Sequence, residues 1–285
     1  MADCVCIVSG TTSGHGRGIA MGVAQRGVHL VMVCRDKSKG EVIKEEIERA
    51  TGNRTIDVIQ TDLSSLASVK ALAELIQKRY KQVNILVNNA GVYKKNFSLS
   101  SDGIEETFAV NYLASFLLTR ELLGLLKASA PARVVNVTSS IHKKSEFTFE
   151  EVIRPRKYNG ARAYRDSKLA IVCSTLQYAG LLQKDGVTVN CLTPGPVRSE
   201  IIRDFKLARF FWKLIAPIFP SEEKGAQPAV RLALAQDLAG VTGKYFEKLN
   251  EAIPGAQALN AQFRQSLFEK SNQLVDSLLN RGSFL

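Results

Sequence analysis

Cys4-Val5-Cys6-Ile7-Val8-Ser9-Gly10-Thr11-Thr12-Ser13-Gly14-His15-Gly16 is the stretch that decides the fold. Its first five residues form a continuous apolar run, the pattern of a strand covered on both faces. Glycines then open a tight turn, and a helical pattern follows to about Gly27. Strand, glycine-rich turn and helix make a cradle for phosphate, because glycines let the backbone approach an anion held at the positive end of the helix. The spacing Gly-x-x-x-Gly-x-Gly differs from the usual Gly-x-Gly-x-x-Gly fingerprint. The glycines alone therefore say little; their place between a buried strand and a helix gives them weight.

Outward from this stretch, apolar runs and helical patterns alternate. Strands are expected at 29–33, 55–61, 83–87, 133–137, 187–192 and 243–246, and helices at 39–50, 64–80, 101–127 and 161–182. This alternation predicts an α/β fold: a Rossmann-type doubly wound parallel sheet of about seven strands, with helices on both faces. No internal repeat or low-complexity linker interrupts it, so residues 1–285 are expected to form a single domain.

Open sheets of this kind bind ligands beyond the carboxyl ends of their strands. The second strand ends in Cys34-Arg35-Asp36. An acid at that strand end holds the ribose hydroxyls of NAD, whereas an arginine accommodates the 2′-phosphate of NADP. Cys34 stands where the acid would be and Arg35 follows it, with Arg17 on the preceding helix as further charge, so NADP(H) is favoured over NAD(H). A one-residue shift of the strand end would instead bring Asp36 into the acid's place. Asp62, ahead of Leu63, closes the third strand near where an adenine would lie, and it also reads as a helix start. Asn88-Asn89-Ala90-Gly91 ends the fourth strand, and Thr138-Ser139-Ser140 ends the fifth. Asn111 lies among Val110, Leu113, Phe116 and Leu117; a buried amide must find partners, as a structural linchpin or as part of a polar relay.

Composition narrows the classes. The chain has 285 residues, 45% hydrophobic and 23% charged, ordinary for a folded globular protein. Its net charge of +11 is scattered, without an aromatic-interleaved basic stripe, so one anionic ligand is expected rather than nucleic acid. Five cysteines fall mostly in apolar runs without metal-ligand spacing, which predicts buried thiols in a reducing, cytoplasmic compartment and no metal site. Neither a signal peptide nor an N-terminal membrane anchor is expected. Residues 141–160 form a charged, irregular stretch of the length that marks a functional or mobile loop. Residues 203–220 interleave Phe205, Leu207, Phe210, Phe211 and Trp212 with Lys206, Arg209 and Lys213. They read as an amphipathic lid over an apolar substrate, or as a peripheral membrane contact. The tail 255–285 is a charged helix of unassigned purpose.

Tyr164 and Lys168 are four residues apart in a helical segment and so share a face, where an ammonium would lower the phenol's pKa. Alone, the pair reads more readily as a half-buried tyrosine with a solvated lysine one turn on. In combination it carries more. Gly10, Gly14 and Gly16, Asp62, Asn88-Asn89-Ala90-Gly91, Asn111, Ser140, Tyr164 with Lys168, and Pro194-Gly195 resemble, in order and region, the short-chain dehydrogenase/reductase family over about residues 4–248. Cys34-Arg35-Asp36, Asn136-Val137-Thr138-Ser139-Ser140-Ile141-His142 and the long gap from Ser140 to Tyr164 look most like its retinol-dehydrogenase-like branch. The resemblance implies a catalytic set of Asn111, Ser140, Tyr164 and Lys168. Tyr164 would be the general acid/base, Lys168 would hold the nicotinamide ribose and depress the phenol's pKa, Ser140 would bond the reacting oxygen, and Asn111 would anchor a water relay. Besides Tyr164 and Lys168, it implies cofactor contacts from Gly10, Thr12, Ser13, Gly14, His15 and Gly16 in the cradle. Further contacts are implied at Arg35, Asp62, Leu63, Asn89, Ala90, Gly91, Pro194, Gly195 and Val197.

The sequence departs from the family pattern at Ser9, usually threonine, at His15, usually small and apolar, and at the polar Asp166. His15 would either touch phosphate or pack. The expected activity is NADP(H)-dependent interconversion of a carbonyl and an alcohol on a lipophilic molecule such as a retinoid, steroid-like ketone, fatty aldehyde or aromatic polyketide. The alternative is a non-catalytic dinucleotide-binding sensor. The family also implies a homo-oligomer.

Overall fold

The structure, a computed structural model, describes residues 4–194 and 221–281. The expected lid at 203–220 lies outside the described residues, as do Gly195 and Val197. The chain opens with β1 (Val5–Ser9), α1 (Gly14–Ala24), β2 (His29–Cys34), α2 (Lys37–Thr51), β3 (Ile56–Gln60), α3 (Leu66–Arg79) and β4 (Ile85–Asn88). After α4 (Glu106–Phe108) come a π-helical turn (Ala109–Leu113), α5 (Ala114–Glu121), α6 (Leu123–Ala128) and β5 (Ala132–Val137). A 3₁₀ turn (Ser140–Lys144), α7 (Phe149–Ile153), α8 (Gly160–Leu182) and β6 (Val187–Thr193) follow. The described chain resumes in α9 (Glu222–Leu234), β7 (Tyr245–Glu247), β8 (Asn250–Ala252), α10 (Ala256–Leu259) and α11 (Ala261–Arg281).

The strands form one sheet in the order β3-β2-β1-β4-β5-β6-β7-β8, parallel from β3 to β7. Its order reverses between β1 and β4, which opens the crevice where such sheets bind ligands. Alternate strand residues serve two cores. Ile7, Val31, Val33, Leu86 and Val134 pack against α3, α5, α8 and α11. Cys6, Val8, Leu30, Met32 and Val87 pack against α1, α2 and α9. Both faces being covered, β1 reads as an unbroken apolar run.

Three expectations change. The last strand is half of a hairpin: β8 pairs antiparallel with β7, and the chain turns at Lys248 with φ 55°. The helix expected over 101–127 starts at Glu106, because the fully buried Glu105 carboxylate accepts from the Thr107 and Phe108 amides at 2.9 and 2.7 Å and caps it. Residues 141–160 are not irregular throughout: they contain a 3₁₀ turn and α7, and His142, Phe147, Phe149 and Val152 are buried there. The tail has a structural purpose. In α11, Ser271 meets the Tyr112 hydroxyl at 2.8 Å and Phe268 stands edge-on to Phe116. Among the described residues no helix is long and apolar enough to cross a membrane.

Candidate active site

The glycine-rich turn is locked to the end of β4 by short polar side chains. The Ser9 hydroxyl accepts from the Asn89 and Ala90 amides at 3.0 and 3.1 Å. Asn89 Nδ2 donates to the Ser9 carbonyl at 2.9 Å and to that of Gly10 at 3.3 Å. A serine thus supplies the hydroxyl this brace needs. Gly10 holds φ +72°, a left-handed conformation that favours glycine. Gly91 lies where an added Cβ would be 3.3 Å from Asn111 Oδ1 and 3.4 Å from Lys168 Nζ, so the turn after β4 joins the cradle to Asn111 and Lys168.

The amino end of α1 binds an anion in the folded chain. The Gly14 amide donates to Glu222 Oε1 at 2.9 Å, and Arg17 bridges Glu222 and Glu46 at 3.0 and 2.8 Å. Ser13, at the N-cap, makes no side-chain capping bond, and Thr12 beside it is half-buried. Thr11 Oγ1 is buried with no hydrogen-bond partner among the described residues. A positive helix end that already grips a carboxylate, together with an unused hydroxyl, fits the phosphates of a dinucleotide.

The His15 side chain is buried, with Nδ1 2.9 Å from Asn89 Oδ1, so the ring belongs to the brace. Burial pushes its pKa down from 6.5 to about 4, against the opposing Asn89 bond. Unfolded chains take up this proton near 6.5 and folded chains near 4, so stability falls as pH drops through that window. The expected loss is about 3 kcal/mol in full. Urea midpoints of wild type and His15→Gln between these values check it: the wild-type midpoint falls more steeply, and parallel slopes would refute the assignment.

At the end of β2, Arg35 is exposed. The strand ends at Cys34, and the Asp36 carboxylate caps α2 by accepting from the Lys39 amide at 3.0 Å. Asp36 is therefore committed to the helix start. Asp62 is exposed and accepts from the Ser64 amide and hydroxyl at 2.9 and 2.8 Å, while Leu63 is half-buried against the core. Pro194 follows β6 at the same carboxyl edge.

Helix α8, which carries Tyr164 and Lys168, is fastened to β5 twice. Thr138 Oγ1 donates to the Lys168 carbonyl at 2.8 Å, and Lys168 Nζ donates to the Val137 carbonyl at 3.1 Å. Lys168 is 3% exposed, and burial lowers its pKa to about 8. Its Nζ lies 5.5 Å from the centre of the Tyr164 ring. Burial raises the Tyr164 phenol to about 12, and a hydrogen bond with the Ser139 side chain opposes the rise. Burial thus works against the expected depression of the phenol by Lys168, because desolvation of both groups favours their neutral forms.

The hydroxyl at Tyr164 is that of Ser139, and Ser140 is exposed. Ser139 is the last extended residue, at φ −149° and ψ 144°; the 3₁₀ turn starting at Ser140 directs the next side chain to solvent. The expected place of Ser140 beside the phenol is corrected accordingly. Asn111 lies in the π-helical turn, a rare element common at functional sites. Its Oδ1 accepts from the Val92 amide at 2.7 Å, and its Nδ2 donates to the Val92 carbonyl and to Ser167 Oγ, both at 3.0 Å. It is a linchpin between the turn after β4 and α8. Tyr93, unnoticed in the sequence, stands edge-on to Tyr164 at 6.0 Å; its signal was an aromatic residue two positions after Gly91.

Comparison with known proteins agrees with this geometry. The sequence pattern of the family described as short chain dehydrogenase matches residues 4–208. Mouse retinol dehydrogenase 13 is 39% identical over 288 residues, covering 97% of this chain and 85% of the relative. Mouse retinol dehydrogenase 12 is 39% identical over 271 residues, covering 95% and 86%. An uncharacterized protein of known structure from Mycobacterium paratuberculosis has the same fold, with a TM-score of 0.77 at 24% identity over 96% of this chain and 94% of its own. The Pseudomonas aeruginosa RhlG/NADP active-site complex matches with a TM-score of 0.69 at 25% identity, over 87% of this chain and 95% of the other. The chain belongs to the short-chain dehydrogenase/reductase family, in its retinol-dehydrogenase-like branch.

Proposed function

We propose that this chain is an NADP(H)-dependent oxidoreductase that interconverts a carbonyl and an alcohol on a lipophilic small molecule of the retinoid kind. The observation that carries the reading is the convergence of the Tyr164 phenol, the Ser139 side chain and the Lys168 ammonium beside the anion-binding end of α1. The names of the relatives support a retinoid-like substrate.

The nicotinamide cofactor supplies or accepts the hydride when bound. Tyr164 gives a proton to the carbonyl oxygen in reduction or takes one from the alcohol in oxidation. A phenol held near 12 is protonated at neutral pH, the form that donates. Ser139 offers its hydroxyl to the same oxygen and stabilises the developing charge. Lys168, half of whose population is charged near pH 8, adds positive charge on that side of the phenol and would hold the ribose. Asn111 keeps Gly91 and Val92 against α8, and the positive end of α1 with the Thr11 hydroxyl would hold the phosphates.

The commitment of Asp36 to its helix cap and the exposure of Arg35 support NADP(H). Arg35→Ala is expected to weaken NADPH about tenfold or more and NADH by less than about twofold, since a guanidinium makes charge-assisted bonds to a phosphate that NADH lacks. Binding titrations of both cofactors measure this, and equal losses would remove Arg35 as the reader of the phosphate. Turnover of all-trans-retinal, a steroid ketone and a fatty aldehyde with NADPH and NADH tests the whole reading. A protein that binds NADPH but turns over none of them would be a dinucleotide sensor.

A further inference from the structure

The Ser139 hydroxyl hangs on a segment whose support comes from the far end of the chain. His142, three residues on, is fully buried and uses both ring nitrogens. Its Nδ1 lies 2.7 Å from the Ser139 carbonyl, which can only accept, so Nδ1 carries the proton and donates. Its Nε2 accepts from the Gly255 amide at 3.1 Å, so Nε2 carries none. These two partners define one neutral tautomer. The Tyr245 ring stands edge-on to the imidazole at 4.8 Å, and the Lys143–Glu247 ion pair at 2.7 Å lies beside Tyr245.

The same turn grips this segment again. Gln257 Nε2 donates to the Phe147 carbonyl at 2.9 Å, and its Oε1 accepts from the Phe147 amide at 3.1 Å. Position 255 is tight for a side chain: a Cβ there would lie 3.1 Å from the His142 carbonyl oxygen and 3.1 Å from Lys143 Cα, so these atoms would have to give way. Together, Gly255 and Gln257 strap the stretch from Ser139 to Phe147 to the carboxyl edge of the sheet.

We infer that His142 is a positioning residue for Ser139, held as its Nδ1–H tautomer between the Ser139 carbonyl and the Gly255 amide, so that the Gly255–Gln257 turn sets the hydroxyl against Tyr164. The catalytic part of this inference rests on the function proposed above; the tautomer and the strap do not. A ring rotated or released at His142 leaves the Ser139 carbonyl only the His142 amide at 3.0 Å, and the last extended residue before the 3₁₀ turn then loses one of the two bonds that fix its orientation. The effect falls on kcat, because the reacting oxygen meets Ser139 while the dinucleotide meets the cradle on the other side of β4.

Two substitutions divide the ring's bonds. In His142→Asn the amide nitrogen takes the place of Nδ1 and keeps the bond to Ser139; in His142→Gln the amide oxygen takes the place of Nε2 and keeps only the bond from Gly255. With purified full-length protein and NADPH, kcat is expected to fall about 10- to 100-fold in His142→Gln and less than about threefold in His142→Asn, with the NADPH dissociation constant unchanged in both. In a Ser139→Ala background, His142→Gln is expected to cost nothing further, as befits residues that act as a unit. Equal kcat losses in the two variants, or full additivity with Ser139→Ala, would overturn the positioning role. Nitrogen-15 NMR of the wild-type imidazole reads the tautomer without any substrate: a protonated Nδ1 with a bare Nε2 supports the strap, and the reverse tautomer or an imidazolium at pH 7 overturns it. An inactive wild type showing the expected tautomer would remove the proposed reaction and leave the strap standing. There, Gly255→Ala is expected to shift the His142 and Ser139 resonances together, and an unmoved Ser139 would overturn the coupling.

Discussion

Tyr164→Phe is expected to lower turnover by about 10²–10⁴-fold and to leave the NADPH dissociation constant within about twofold of wild type. Only a hydroxyl is removed. The ring keeps its edge-on contact with Tyr93 and its place under Lys168, so the site's shape survives. What goes is the proton, and neither Ser139, an ordinary hydroxyl, nor Lys168, turned to the Val137 carbonyl, replaces it. The direction of the phenol's pKa shift adds a second readout. With Tyr164 held near 12, alcohol oxidation requires a phenolate that at pH 7 is about 7 kcal/mol uphill in the chain alone. Oxidation is therefore expected to quicken as pH rises from 7 to 10, and carbonyl reduction to stay level until Lys168 loses its proton near 8. Stopped-flow traces of NADPH consumption and formation across this range measure both limbs. Near-normal turnover in Tyr164→Phe would sink the assignment of the proton donor.

How far the sequence discloses this site depends on whether a feature is local. The parallel strands are legible because burial on both faces leaves uninterrupted apolar runs, and the cradle because its glycines follow one such run directly. The strand β8 is not, since Asn250, Glu251 and Ala252 carry no apolar signal and pair only through a turn at Lys248. The break in the helix expected over 101–127 is equally silent. Apolar residues continue through the π-helical turn, and hydropathy does not register the changed backbone spacing that aims Asn111 at Val92. Ser139 and Ser140 differ by one position, and the choice between them is made by where extended backbone gives way to the 3₁₀ turn. His142-Lys143-Lys144 reads as solvated charge, yet the histidine is buried by a glycine 113 positions later in the chain. Motifs report the local half of a site; the other half is set by contacts that sequence spacing does not express.

The cradle itself supplies the sharpest test of why its residues are what they are. Gly16→Ala is expected to destabilise the fold by about 3 kcal/mol or more and to weaken NADPH binding at least about tenfold. A Cβ at this position would sit 2.0 Å from the Gly10 carbonyl oxygen and 2.5 Å from Asn89 Nδ2. The first obstacle is backbone and cannot swing aside; the second is the donor that holds the Ser9 and Gly10 carbonyls. Making room therefore moves the loop off β4 and releases two hydrogen bonds worth about 1 kcal/mol each, on top of the overpacking. Gly124, in α6, is the control: outside its own helical turn no atom of the described residues lies within 4 Å of its added Cβ, and Gly124→Ala is expected to leave stability unchanged or raise it by about 0.5–1 kcal/mol. Guanidinium midpoints of the three proteins, with equal slopes, give both values. A wild-type midpoint in Gly16→Ala would mean that the loop has slack, and a braced, pre-shaped phosphate cradle could no longer be what Ser9, Asn89 and His15 maintain.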